Sequence, residues 1–212
     1  GVSRGLGDVY KRQEITFVIV ASDEFSLKNQ GMTTAESIEY ISKLLKNRKP
    51  GIKICISIAA AFGCPFEGEV SPSRVIEIAE KCLDLNPDEI SLADTIGVAV
   101  PKDIKEKVKP LMLLSSKIPV RLHLHNTRNT AISNAWTAFE LGVRRFDASF
   151  GGIGGCPFAP KATGNVAIED LVYLFEKSGI ATGINLDEAI KVAKWLQAVS
   201  YTHLTLPTKE EV

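Results

Sequence analysis

The chain has 212 residues, enough for one domain with a sizeable core. Its 25 basic and 25 acidic residues cancel, so no net field draws in nucleic acid or an anionic membrane. No apolar run approaches membrane-spanning length, and the four cysteines (Cys55, Cys64, Cys82, Cys156) form no CxxC pair, which speaks against a thiolate zinc site or disulfide scaffold and fits a soluble protein of a reducing cytoplasm.

The first thirteen residues read as an addition. Asp8 to Gln13 can be written in codons whose reverse complement, shifted by two bases, translates as Val-Ser-Tyr-Thr-His, the residues at 199–203. That pattern resembles the shared adapter of a transposase-based sequencing library, with Ser3–Gly7 and Leu204–Thr208 as its two arms. Segments 1–13 and 199–212 are therefore set aside from fold reasoning, and the chain is expected to be an insert truncated at both ends. His203 goes with them, leaving two native histidines.

Apolar, β-branched strands are predicted at 15–21, 52–59, 88–93, 118–124 and 144–149, each too continuously apolar to leave one face wet. The first is followed by a helical pattern over 33–47, with Ile38, Ile41, Leu44 and Leu45 on one face and a Thr33–Glu36 capping box. A second helix over 71–84 has Ser71 as N-cap, Pro72 in its first turn and a stripe of Val75, Ala79, Cys82 and Leu83. A third starts near 102 and is shortened by Pro110; its charged face, Lys102 to Lys109, reads as solvated surface. A fourth, from about 129, turns Ile132, Ala135, Trp136 and Phe139 inward, and helices near 167–178 and 186–197 complete domain 14–198.

Strand–helix alternation at this period implies a right-handed parallel β/α array. A doubly wound sheet and a (β/α)8 barrel both satisfy it. No GxGxxG follows the first strand and no GxxxxGK[ST] occurs, which sets the nucleotide-binding versions back. A full barrel needs about 250 residues. This chain would then supply strands three to eight, the last a short one near Thr163–Ala167.

Polar residues gather just after the strands, at the end where a barrel opens its active site. His123 and His125 alternate on one strand, so both imidazoles can face one metal ion while Leu122 and Leu124 face the helices; such a pair can also be ordinary packing. Two histidines without a thiolate suit Mg²⁺ or Mn²⁺. Asn165 offers an amide oxygen or is simply a turn residue after Gly164. Cys156, in GGIGGCPF, is a proton donor if exposed on a mobile loop and a small apolar residue if buried. Asp94 closes its strand as a base, a metal-shell group or a helix cap.

The strings ASDEFSLKNQGMTTAES, AFGCPFEGEVSP, EISLADTIGVAVP, HLHNTR and FGGIGGCPFAPKATGNVAIEDLVYLFE resemble, in order and spacing, the 3-hydroxy-3-methylglutaryl-CoA lyases, over nearly all of 14–198. The resemblance implies a partial (β/α)8 barrel and a divalent-metal-dependent (Mg²⁺ or Mn²⁺) cleavage of an acyl-CoA to acetyl-CoA and a 3-oxo acid such as acetoacetate. It implies His123, His125 and Asn165 as metal ligands and Cys156 and Asp94 as catalytic residues. It also implies an Arg-Asp pair on the family's first strand, for which this chain has no counterpart, so the fragment itself is expected to be inactive. A homo-oligomer is left open for the parent. Asn126 and Arg128 stand where better-known relatives carry aspartate and tyrosine, which opens the choice of acyl group. The alternatives are another lyase or carboligase of this barrel class and a barrel with a structural or binding role alone.

Overall fold

The computed structural model describes residues 14–155 and 164–200. Of the segments assigned to adapter, all of 1–13 and residues 201–212 of 199–212 lie outside the described residues, as does Cys156. Five strands, β1 (Glu14–Val20), β2 (Lys53–Ala59), β3 (Glu89–Asp94), β4 (Val120–Leu124) and β5 (Arg145–Asp147), pair in sequence order, all parallel, into one open sheet. Helices α1 (Asp23–Gln30), α2 (Thr34–Leu45), α3 (Pro72–Leu83), α4 (Pro101–Ser115), α5 (Ala131–Glu140), α6 (Ile168–Lys177) and α7 (Leu186–Ser200) intervene or follow. This α/β arrangement is an arc of a (β/α)8 barrel. Helix α7 runs two residues into the predicted tail.

The strand register explains the layering. Ile19, Ile58, Leu92, Leu122 and Phe146 stand in one cross-strand row, and Phe17, Ile56, Ile90 and Val120 in another. Both rows look toward the helices, and Ile56, Ile58, Ile90, Leu92 and Leu122 are wholly buried there. Full burial of such a side chain is worth about 1.5–3 kcal/mol. The opposite face carries Thr16, Cys55 and Glu89 in one row and Val18, Ser57, Ser91, Arg121 and Arg145 in the next. It is polar and ionic, and at β1 it is exposed, contrary to the expectation of two covered apolar faces. The continuous apolar look of the strands hid this because Cys, Ser and Ala are small enough to pass for core.

Local chemistry sets the helix boundaries. The capping box between Thr33 and Glu36 forms as predicted, and the Ser71 hydroxyl accepts from Arg74 N at the start of α3. Helix α4 does not stop at Pro110 but continues to Ser115. The hydrogen bond that proline forfeits belongs to the carbonyl of Glu106, an exposed residue. Ile104, Val108 and Leu111, all fully buried, hold the helix down on both sides of the proline. Lys107 departs from the solvated charged face: it is buried, with its Nζ 5.3 Å from the centre of the Phe62 ring. In α5, Ala131, Ala135 and Ala138 are buried. Ile132, Trp136 and Phe139 are only half-buried, and Trp136 and Phe139 pack on Phe175 of α6.

The predicted last strand is reduced to two isolated bridges, His125 with Asn165 and Ser149 with Ala167. Val166 N donates to Leu124 O at 2.9 Å and Ser149 N to Val166 O at 3.2 Å, so this segment ties the end of β4 to the loop after β5.

Candidate functional site

His123 and His125 project from the polar face at the carboxyl end of β4, with ring centres 5.3 Å apart. Leu122 and Leu124 are buried on the other face, as strand alternation requires. His123 retains about a third of its side-chain exposure, whereas His125 is 6% exposed. Burial, aided by the neighbouring His123, lowers the His125 imidazole to about 4. His125 is thus neutral at neutral pH, the state in which a ring nitrogen can bind a cation. Its Nδ1 is buried and has no hydrogen-bond partner among the described residues.

Asn165 is brought to the same place by its backbone bridge to His125. Its Nδ2 donates to the carbonyl of Ile153 at 2.9 Å, which fixes the amide plane. Its Oδ1 is buried without a partner among the described residues. An orphaned amide oxygen and an orphaned imidazole nitrogen at one site would each cost about 1–3 kcal/mol if nothing satisfied them. A divalent cation would satisfy both, and two imidazoles with an amide oxygen form a donor set that Mg²⁺ or Mn²⁺ accepts. The residues present fit such an ion.

Glycines make the approach possible. A Cβ on Gly154 would lie 2.7 Å from Asn165 Nδ2, and one on Gly152 would lie 2.9 Å from Asn165 O. The preceding glycine is pinned from below: Gly151 N donates to both carboxylate oxygens of Glu169, at 3.1 and 3.2 Å. Burial raises the Glu169 carboxyl above the usual range. Sequence reasoning missed Glu169, although its place four residues after Asn165, in the first turn of α6, was a usable signal.

Asp94 is 1% exposed, and its two oxygens accept from Val98 N (2.9 Å) and Ala99 N (3.0 Å). Burial raises its carboxyl, against the lowering effect of those two donors. In the β3–β4 register it stands beside Leu124, while Ala93 stands beside His123. Its side chain therefore holds the turn after β3 and does not share the histidines' row. Asn126 Oδ1 accepts from Ala131 N at the start of α5, and Arg128 donates to the carbonyls of Ile96 (3.3 Å) and Gly97 (2.9 Å). Both residues thus have structural duties.

A further residue faces the histidines and was not singled out from sequence. Asp147 of β5 pairs in register with His123, with Oδ2 3.3 Å from Nδ1. Farther down the same face, Glu14, Cys55 and Glu89 place ligand-type atoms within 4.8 Å of one another. Arg121 pairs there with both Glu14 and Glu89, so a guanidinium already supplies the cation. Burial pushes the Cys55 thiol up to about 12, which keeps it protonated. That cluster is an ion-pair network and not a metal centre. A cavity of about 470 Å³ between β5, α5 and α6, lined by Phe139, Phe146 and Phe175 together with Arg144 and Thr182, touches this face through Asp147.

Comparison with known proteins follows the same lines. The family described as HMGL-like matches residues 9–196. The (R)-citramalyl-CoA lyase of Chloroflexus aurantiacus is 48% identical over 187 residues, covering 88% of this chain and 59% of that protein. A hydroxymethylglutaryl-CoA lyase of Bacillus subtilis is 35% identical over 178 residues, covering 84% of this chain and 60% of the relative. Among solved structures, an HMG-CoA lyase from Acinetobacter baumannii in complex with coenzyme A and 3-methylmalate superposes with a TM-score of 0.84 at 41% identity, covering 88% of this chain and 61% of that one. The chain thus spans about three-fifths of the length of these relatives.

Proposed function

Because the chain belongs to the HMGL-like family, we propose that it carries the metal centre of a carbon–carbon lyase acting on a 3-hydroxy-3-methyl acyl-CoA that ends in a carboxylate. The observation that carries this reading is the pair of orphaned ligand atoms, His125 Nδ1 and Asn165 Oδ1, beside His123 at the carboxyl end of β4. A Mg²⁺ or Mn²⁺ ion held by His123, His125 and Asn165 would supply Lewis acidity to the substrate's C3 hydroxyl. The reaction is a retro-Claisen cleavage: the hydroxyl loses its proton, the C2–C3 bond breaks, and the acetyl thioester leaves as an enolate that must be protonated at carbon. Cys156, next in sequence to Gly155, is assigned that protonation. Asp94 enters as a positioning residue, since taking the hydroxyl proton would require it to release Val98 and Ala99.

Two substrates fit this class. 3-Hydroxy-3-methylglutaryl-CoA would give acetyl-CoA and acetoacetate, and the shorter citramalyl-CoA would give acetyl-CoA and pyruvate. The 48% identity to the citramalyl-CoA lyase favours keeping the second beside the first. Titration of the 212-residue chain with Mn²⁺, followed by electron paramagnetic resonance, tests the metal centre. A single ion bound per chain, lost in His123→Gln and in Asn165→Ala, is expected. Absence of binding by the unsubstituted chain would sink the reading. Grafting residues 14–198 into the Bacillus subtilis relative and comparing acetyl-CoA release from the two thioesters separates the substrates.

A further inference from the structure

Asp147 has no part in the reading above. It lies on β5 directly across from His123, with its Oδ2 3.3 Å from His123 Nδ1. Its Oδ1 lies 3.5 Å from the Arg121 guanidinium, which pairs in turn with Glu89 and Glu14. Arg121 and His123 alternate on β4 and His125 follows directly after its last residue, so the ionic network and the histidines share one face.

We propose that Asp147 is a positioning residue that fixes the tautomer and direction of the His123 ring. A neutral imidazole offers one lone pair, and the hydrogen bond made by its other nitrogen decides which nitrogen that is. A carboxylate can only accept, so Asp147 selects the proton onto Nδ1 and leaves Nε2 as the free donor atom. His123 is a third exposed and makes no other side-chain hydrogen bond among the described residues, so Asp147 is the one hydrogen-bond partner there that can set the direction of the ring. Arg121 has a separate part. Its guanidinium, 3.5 Å from Oδ1, holds the Asp147 carboxylate in place so that Oδ2 stays turned to His123. The two histidines are thus held differently: His125 by burial, His123 by a hydrogen bond to a carboxylate that Arg121 also engages.

This inference rests on the metal-centre reading for its purpose but not for its test. Long-range ¹H–¹⁵N spectra of the full chain at neutral pH, with His123→Gln for assignment, read the tautomer of each ring without metal. The unsubstituted chain is expected to hold His123 as the Nδ1–H form. In Asp147→Asn the side-chain amide can present N–H to Nδ1, so the Nε2–H form should grow while His125 is unchanged. Mn²⁺ affinity should then fall by about 10–100-fold with the thermal melt preserved. An unchanged His123 tautomer in Asp147→Asn overturns the proposal, and so does an Nε2–H form in the unsubstituted chain, which decides the matter even if the variant does not fold. If the unsubstituted chain binds no Mn²⁺, the metal-centre reading fails, and the tautomer spectra still decide whether Asp147 orients the ring.

Discussion

The carbonyl oxygen of Gly152 comes so close to Gly164 that a Cβ there would stand 2.3 Å from it. Gly164 also has a φ of 123°, a conformation that L side chains rarely adopt. The residue that follows is Asn165, and Asn126 N donates to Gly164 O at 3.0 Å, so this glycine sets where the amide ligand stands relative to the end of β4. Gly164→Ala must push the two loops apart. We expect Mn²⁺ affinity to drop at least about 10-fold, in line with the loss of a supporting group at a metal site. Gly183→Ala is the control: its φ of 74° is also strained, but nothing lies within 4 Å of a Cβ there. It should cost about 1 kcal/mol of stability and leave metal binding unchanged. Equal affinity in both variants would show that the close approach does not position Asn165.

The depressed pKa of His125 makes stability depend on acid in a defined window. Unfolded, an imidazole takes up its proton near pH 6.5. In the folded chain burial holds that value down to about 4. The group's contribution is therefore fully present above about pH 6.5 and is lost as pH falls toward about 4, amounting to roughly 3 kcal/mol at most. Urea midpoints at pH 7 and pH 4.5 should fall more steeply for the unsubstituted chain than for His125→Gln. Parallel declines in the two proteins would assign the acid sensitivity to the carboxylates.

Glu89 is 2% exposed and is held by Arg121 and Arg145, the latter at 3.1 Å. Removing one side of a buried pair strands the other charge, at a cost of about 3–5 kcal/mol, whereas replacing both sides with apolar groups is far milder. Glu89→Leu should be destabilised by an amount near the lower end of that range, because Arg121 keeps Glu14 and Asp147. The double variant Glu89→Leu with Arg121→Met should recover part of the loss in chemical denaturation. A double variant as unstable as the sum of its single changes would mean that the pair is not coupled.

The sequence reveals the strands because their apolar, β-branched runs stand out between helical stretches; observed starts at 14, 53, 89, 120 and 145 fall within two residues of the predicted ones. It reveals His123 and His125 because alternation is a local rule. What it conceals depends on packing. Helix α1 carries just Phe25 as a buried apolar residue and shows no amphipathic stripe, so neither pattern nor period announces it. The Arg121–Glu89 pair spans 32 positions and the Asp147–His123 pair 24, and in each case one partner lies inside an apolar run where a charge looks incidental. Asp94 was legible as important but not as to its use, since a carboxylate at a strand end reads the same whether it faces substrate or its own turn.

Asp94→Asn distinguishes those two uses. The amide is isosteric and keeps one oxygen for Val98 N or Ala99 N, but its NH₂ now confronts the other donor. Ala99 is fully buried, so a stranded N–H there has no water to turn to. If Asp94 holds the turn, the variant loses about 1–3 kcal/mol of stability. Within the grafted relative, its turnover would then keep the unsubstituted pH profile and fall in proportion to the folded fraction. Asp94→Glu should not restore it, because a longer chain cannot reach both donors from the same strand position. If instead Asp94 takes the hydroxyl proton, Asp94→Asn would keep its melting temperature and lose turnover by about 10²–10⁴-fold. The donors at 2.9 and 3.0 Å favour the first outcome, for both carboxylate oxygens are already engaged by the turn and the residue does not share the histidines' row.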